Sequence, residues 1–180
     1  MTTDTARADG WRRAVAAIDE AIRSGQLDAA ALAELRRLEP DDPASPAFWQ
    51  TLIRYVEPYD APPGDEGARR LWERRWAAIL GGMARLSHDP ATPAGHALAE
   101  AGFSELRLRR LLRSADARLT DELRAAVQFL AATGVPADWR QLAELVLADP
   151  GRFPDWAERV RRRVSREYFR RLYDLGRKEE

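Results

Sequence analysis

The 180-residue chain contains no cysteine and only two histidines, His88 and His96. The first absence excludes disulfides, thiolate nucleophiles and Cys-ligated zinc or iron–sulfur sites. Lysine is almost missing as well: 28 of the 29 basic residues are arginine, and Lys178 is the exception. No apolar run approaches the roughly 20 residues of a membrane span, and Met-Thr-Thr-Asp-Thr-Ala-Arg7 is not followed by the apolar core of a signal peptide. No membrane partner is therefore expected, and the expected location is cytoplasmic. No glycine-rich phosphate loop and no nucleophile-elbow motif occurs. Gly81-Gly82 lies inside a helical pattern, where it allows close helix packing.

What the chain does have is helical periodicity. Trp11, Val15, Ile18 and Ile22 repeat at helical spacing from Asp9 to a left-handed cap at Gly25. Asp28 caps a second helix with Leu32, Leu35 and Leu38 inward and Pro40 beyond its end, and Asp41-Asp42-Pro43 reads as a turn rather than a metal box. Ser45-Pro46 opens a third helix whose predicted buried stripe is Trp49, Leu52, Ile53 and Val56. Pro58 to Gly67 reads as an irregular surface loop. Trp72, Trp76, Ile79, Leu80, Met83 and Leu86 line a fourth helix, and two tryptophans at i, i+4 read as core.

Ser87 to Gly95 is the predicted seam between two sub-bundles, 9–86 and 94–177. A short helix around His96 to Glu100 follows, and Ser104 caps the next. Thr120 is the predicted cap of a further helix that buries Leu123, Val127 and Leu130 and stops at Gly134. Asp138 with Gln141, and Asp155 with Glu158, have capping-box spacing. The last helix runs from about Trp156 to Leu175, with Val160, Val164, Tyr168, Leu172 and Leu175 on its apolar side. No strand pattern competes, so the predicted fold class is all-α, a bundle of about nine helices in one module, with the two sub-bundles as its candidate division.

The formal net charge of zero hides an asymmetry. Residues 1–100 carry 12 arginines against 16 acidic residues, whereas residues 101–180 carry 17 basic residues against 13 acidic ones. In the segment after Ser104, Leu108, Leu111, Leu112 and Ala115 share one helical face. Arg109, Arg110 and Arg113 share the other, with Arg107 at the margin. In the last helix Arg159, Arg163, Arg166, Arg170 and Arg177 oppose the apolar side. From Arg159 to Arg171 seven arginines face only Glu167 within the segment. Two readings fit such rows: a solvated face, or a surface that tracks phosphates. The repetition of the pattern in two helices favours the second.

Catalysis is not expected. His88-Asp89 resembles the metal-binding dipeptide of helical phosphohydrolases, but two histidines cannot complete such a ligand set, so neither metal nor cofactor is predicted.

These residues also carry a family likeness. Pro46-Ala-Phe-Trp49, Glu73-Arg-Arg-Trp76 with Met83 and Leu86, Ser104-Glu-Leu-Arg-Leu-Arg-Arg-Leu-Leu112, Gly134-Val-Pro-Ala-Asp-Trp139 and Arg166-Glu-Tyr-Phe169 occur in an order that resembles the CasB family. That family is the small subunit of the type I-E CRISPR surveillance complex Cascade. The acidic, proline-rich loop after Tyr59 and the extension past Tyr168 depart from the family pattern.

The resemblance implies an all-helical, non-catalytic subunit, present in two copies in a guide-RNA-containing complex with the other Cascade subunits. It implies contacts to the RNA–target hybrid and to the displaced DNA strand. Carried onto this sequence, the nucleic-acid role falls first on Arg107, Arg110, Arg163, Arg166 and Arg170, and second on Arg109, Arg113 and Arg159. Binding is expected to be sequence-blind, with few exposed aromatics for base stacking. The alternative is a helical adaptor whose basic face docks an acidic protein, including a second copy of this chain.

Overall fold

Every periodic segment forms a helix. The computed structural model of the protein describes residues 2–39, 44–148, 150–151 and 153–177, and among them the helices are α1 (Thr2–Arg23), α2 (Ala29–Arg36), α3 (Pro46–Thr51), α4 (Glu66–Met83), α5 (Ala94–Glu100), α6 (Glu105–Arg113), α7 (Asp116–Thr133), α8 (Trp139–Leu147) and α9 (Pro154–Gly176). No strand occurs among the described residues. The predicted turn at Asp41-Asp42-Pro43, together with Pro40 and Lys178, lies outside them. The chain divides into two units, Met1–Ala84 and Arg85–Glu180.

In the first unit, α1 begins at Thr2 rather than near Asp9, and Trp11, Val15 and Ile18 are buried along it. Asp28 accepts the Ala31 N–H at 2.8 Å and Ser45 accepts the Phe48 N–H at 3.2 Å, so both predicted caps form. Gly81 lets α4 approach α2, since a Cβ there would sit 3.1 Å from the Leu35 carbonyl oxygen.

The buried stripe of α3 differs from the prediction. The helix runs on as a π-helical turn, Leu52–Val56, in which the Glu57 N–H reaches back five residues to the Leu52 carbonyl. The inward face keeps helical spacing through this turn, but its phase differs from the predicted one by about a residue. Phe48, Leu52, Tyr55 and Val56 are buried, while Trp49 and Ile53, both expected inside, are exposed.

The loop after Pro58 is also less superficial than its composition suggests. Asp60 is buried, and its Oδ2 accepts both the Trp72 indole N–H at 2.7 Å and the Trp76 indole N–H at 2.9 Å. Asp65 ends the loop by capping α4 through the Ala68 N–H.

In the second unit, Leu98, Leu111, Leu123, Leu130, Trp139, Leu142 and Val164 form the centre of the core. The segment predicted as a seam is knitted into this unit. The Asp89 N–H donates to the Ala137 carbonyl at 3.0 Å, the Asp138 N–H to the Thr92 carbonyl at 2.8 Å, and the Trp139 indole to the Leu86 carbonyl at 2.8 Å.

Three predicted caps are corrected here. Helix α7 starts at Asp116, a turn ahead of Thr120, which is buried within it and donates its hydroxyl to the Ala117 carbonyl. Asp138 does cap α8 through the Arg140 N–H. Gln141, however, does not return the bond; it accepts the Ala94 N–H at 2.9 Å and so fastens the start of α5. Helix α9 starts at Pro154 without a side-chain cap, and Glu158 is engaged by Arg162 one turn on. In each case a side chain with the right spacing is used elsewhere.

Candidate nucleic-acid interface

The arginines in question sit on α6 and α9, and what positions both helices is their apolar side. Leu108 and Leu111 of α6 are buried, as are Val160, Val164 and Tyr168 of α9. Leu172 and Leu175, also predicted on the apolar side, are only half-buried. Helix α9 is held against α5 through Gly95, where a Cβ would fall 2.3 Å from the Val164 carbonyl oxygen and 2.8 Å from the Tyr168 nitrogen. The Tyr168 hydroxyl donates to the Phe103 carbonyl at 2.5 Å and ties α9 to the residue just before α6. Burial pushes that phenol above its ordinary range, with Glu105 adding to the effect.

The arginine row of α9 is not uniform. Arg163 is drawn inward: its Nη2 lies 2.5 Å from Oε2 of Glu144, a buried carboxylate of α8 that also accepts the Trp156 indole N–H at 3.0 Å. Arg171 forms an ion pair with Glu100 of α5, and Arg161 donates to the Ser114 carbonyl at 3.0 Å. Arg162 pairs with Glu158 at 2.7 Å, but both are well exposed. An exposed i, i+4 pair contributes only about 0.3–0.5 kcal/mol and yields to a better anion. Arg159, Arg166 and Arg170 are exposed, and among the described residues no carboxylate pairs with them.

Glu167, the one acid within the row, faces away from these three. It is half-buried, and burial pushes its carboxyl above the ordinary range despite the Gly95 N–H, Arg163 and His96 around it.

Helix α6 divides in the same way. Arg110 makes a two-point contact with Glu122 of α7, at 3.0 and 3.3 Å. The Arg107 guanidinium lies over the Phe129 ring, 5.3 Å from its centroid. Arg109 and Arg113 are exposed with no ion pair among the described residues.

Arg113 faces α9 across an open groove of about 630 Å³. Four arginines line it, Arg113, Arg161, Arg162 and Arg166, with Glu158 the only carboxylate. Leu112, Ser165 and Phe169 complete the lining. Of the sequence-predicted site residues, the groove thus brings together Arg113 and Arg166. Arg159 and Arg170 lie on the same exposed side of α9, and Arg110 and Arg163 are tied to acids of the protein.

Two exposed aromatic rings of α9 were not among the sequence-predicted site residues. Phe169 and Tyr173, 49% and 66% exposed, stand one turn apart on α9 beside Arg166 and Arg170. Their spacing to the arginines was legible, but the sequence placed attention on the charges.

The residues that an enzyme would use have other duties. His88 Nδ1 accepts the Trp139 N–H at 3.0 Å, and Asp89 accepts the Ala91 N–H at 3.0 Å and the Thr92 hydroxyl at 2.5 Å, which closes a turn. These two hydrogen bonds hold the Asp89 carboxyl below its ordinary range, the hydroxyl contributing most. Among the described residues no group of three or more His, Asp or Glu is arranged to hold a metal ion, and no helix is long and apolar enough to cross a membrane.

Over residues 31–169 the sequence matches the profile of the family described as CRISPR-associated protein Cse2. Among solved structures it is similar to the crystal structure of CasB from Thermobifida fusca, with 24% identity and a TM-score of 0.63, over 86% of this chain and 93% of that one. At that identity the likeness concerns the fold. No curated protein sequence matches significantly.

Proposed function

This chain belongs to the CRISPR-associated Cse2 family, the CasB small subunit of Cascade, and from that premise we propose that it holds opened DNA on the free arginines of α6 and α9. The family is a structural rather than a catalytic component, so its contribution has to be binding free energy.

The observation that carries the reading is the sorting of the arginines. Arg159, Arg166 and Arg170 stay exposed and unpaired while their neighbours are consumed by Glu144, Glu100 and Ser114. Guanidinium groups without an internal carboxylate retain their full attraction for phosphate oxygens, which they meet in a two-point fork. Such contacts ignore base sequence, and a subunit that must accept any target requires that. Replacing a DNA duplex by an RNA–DNA hybrid is nearly balanced in free energy, so a few protein contacts to the strand decide whether the opened state persists.

Within the proposal the primary phosphate-binding residues are Arg113, Arg159, Arg166 and Arg170, with Arg109 beside them. Arg162 joins when it releases Glu158. Arg107, Arg110 and Arg163 support the helices that present the others. The partners are those the family implies: guide RNA, target and displaced DNA strands, the other Cascade subunits and a second copy of this chain.

The test is a reconstituted complex carrying Arg159→Glu, Arg166→Glu and Arg170→Glu together, with retention of opened target DNA and subunit incorporation measured on the same preparation. Normal incorporation with loss of DNA retention is the expected result. Normal retention makes the row a solvated face, and failed incorporation makes it a protein-docking surface.

A further inference from the structure

Phe169 is a half-exposed phenyl ring in the wall of an arginine groove, and its setting fixes its orientation. Its neighbour Tyr168 is buried and anchored by the hydroxyl bond to the Phe103 carbonyl. The two rings pack edge-to-face, with centroids 5.2 Å apart and planes at 88°. Such a contact holds Phe169 in place instead of letting it collapse onto the surface.

Tyr173 follows one turn later, about 6 Å along the helix axis. The Arg177 guanidinium lies 5.9 Å from its ring centroid. On a helical projection Arg166, Phe169 and Tyr173 fall within a sector of about 60°, centred opposite the buried Val160 and Val164. Two large rings side by side on a polar face form an exposed apolar patch rimmed by charge, which marks a binding surface. The charge around them states what that is. Arg113, Arg161, Arg162 and Arg166 against the single acid Glu158 select a polyanion, and an apolar protein partner would have to desolvate those guanidinium groups.

We propose that Phe169, with Tyr173 beyond it, is a base-stacking platform that holds unpaired bases of the strand whose phosphates the arginines track. This inference rests on the nucleic-acid reading above and adds a contact to the bases of the strand, made by Phe169. Paired bases of a duplex or hybrid present no free ring faces to a helix laid on the backbone, whereas an unpaired base offers one whatever its identity. The arginines then track phosphates and the rings hold bases, still without sequence preference.

The experiment measures binding of the full-length protein to two oligonucleotides of equal length, a thymidine strand and an abasic strand with the same phosphates. The unmodified protein is expected to prefer the thymidine strand. Phe169→Ala should weaken that binding by roughly fivefold or more, from the ordinary worth of one base–aromatic stack, and leave abasic binding unchanged. Phe169→Tyr, which keeps the ring, should retain the preference. Circular dichroism of each variant confirms that α9 is intact. Equal binding of the two strands by the unmodified protein, or an equal loss on both in Phe169→Ala, overturns the stacking platform but keeps phosphate binding. Failure of the unmodified protein to bind either strand overturns the nucleic-acid reading and this inference with it. Unchanged binding of both strands by Phe169→Ala, together with loss of incorporation into the complex, assigns the ring to a protein contact instead.

Discussion

Arg163 donates to Glu144 across α9 and α8, Nη2 to Oε2 at 2.5 Å, with the glutamate side chain only 8% exposed and the arginine side chain 39% exposed. This pair separates two arginines that the sequence presents as equivalent, Arg163 and Arg166. The first is part of the helix packing and the second is not. Removing the guanidinium takes a charged hydrogen-bond donor from a buried carboxylate, a loss of about 1–3 kcal/mol. Arg163→Ala should therefore lower the denaturation midpoint measurably, and Arg166→Ala should not. Equal midpoints for the two variants would show that Arg163 is as free as its neighbour.

Gly95 sets how closely α5 lies on α9. With a Cβ 2.3 Å from the Val164 carbonyl oxygen and 2.8 Å from the Tyr168 nitrogen, the obstacle is backbone and cannot swing aside. Gly95→Ala should cost about 1–3 kcal/mol or more, the usual range for overpacking, despite the better helix propensity of alanine. Chemical denaturation checks it. A neutral effect would mean that the two helices can separate freely.

Asp60 serves two indoles with one oxygen, at 2.7 and 2.9 Å. Asp60→Ala would strand both buried N–H groups, at about 1–3 kcal/mol each. Asp60→Asn keeps a carbonyl acceptor and should lose less. The ordering of the two midpoints is the measurement, and the reverse ordering would remove the double acceptor from the account.

Much of this was legible beforehand. Helix existence followed from apolar periodicity, and Asp28, Ser45, Ser104 and Gly134 act as the caps their positions suggest. What failed has identifiable physical causes. Trp49 and Ile53 lie just outside the buried face because two stripes of helical spacing compete in this segment, and packing selects the one through Phe48, Leu52 and Tyr55. Gln141 and Glu158 have the spacing of capping boxes but are engaged instead by the Ala94 N–H and by Arg162. The arginine row looked unopposed because its acids, Glu144 and Glu100, come from other helices, 19 and 71 residues away. Local spacing identifies who could pair within a helix, and tertiary packing decides who does.

The acid dependence of the first unit has a specific source. The Ser45 hydroxyl at 2.5 Å, then the Ala47 N–H at 3.2 Å, hold the Glu34 carboxyl below the ordinary glutamate range; partial burial opposes this and Arg37 adds to it. A depressed folded-state value means that the stabilisation is present above the unfolded value and is lost as pH falls through the folded one. Glu34→Gln should thus be less stable than the unmodified protein at neutral pH, and the two should converge below the ordinary glutamate range. A gap that stays constant down to that acid range would indicate a packing effect rather than titration.

The central claim, that the exposed arginines of α9 bind phosphates, is tested most directly by the salt dependence of single-stranded DNA binding. Each phosphate contact contributes about 0.7 to the log–log slope for a single strand. The Arg159→Glu, Arg166→Glu, Arg170→Glu variant should therefore bind more weakly at low salt, with a slope shallower by about 2. Arg110→Ala, which removes a guanidinium already paired with Glu122, should leave the slope unchanged. A triple variant that keeps both the affinity and the slope of the unmodified protein would contradict the account.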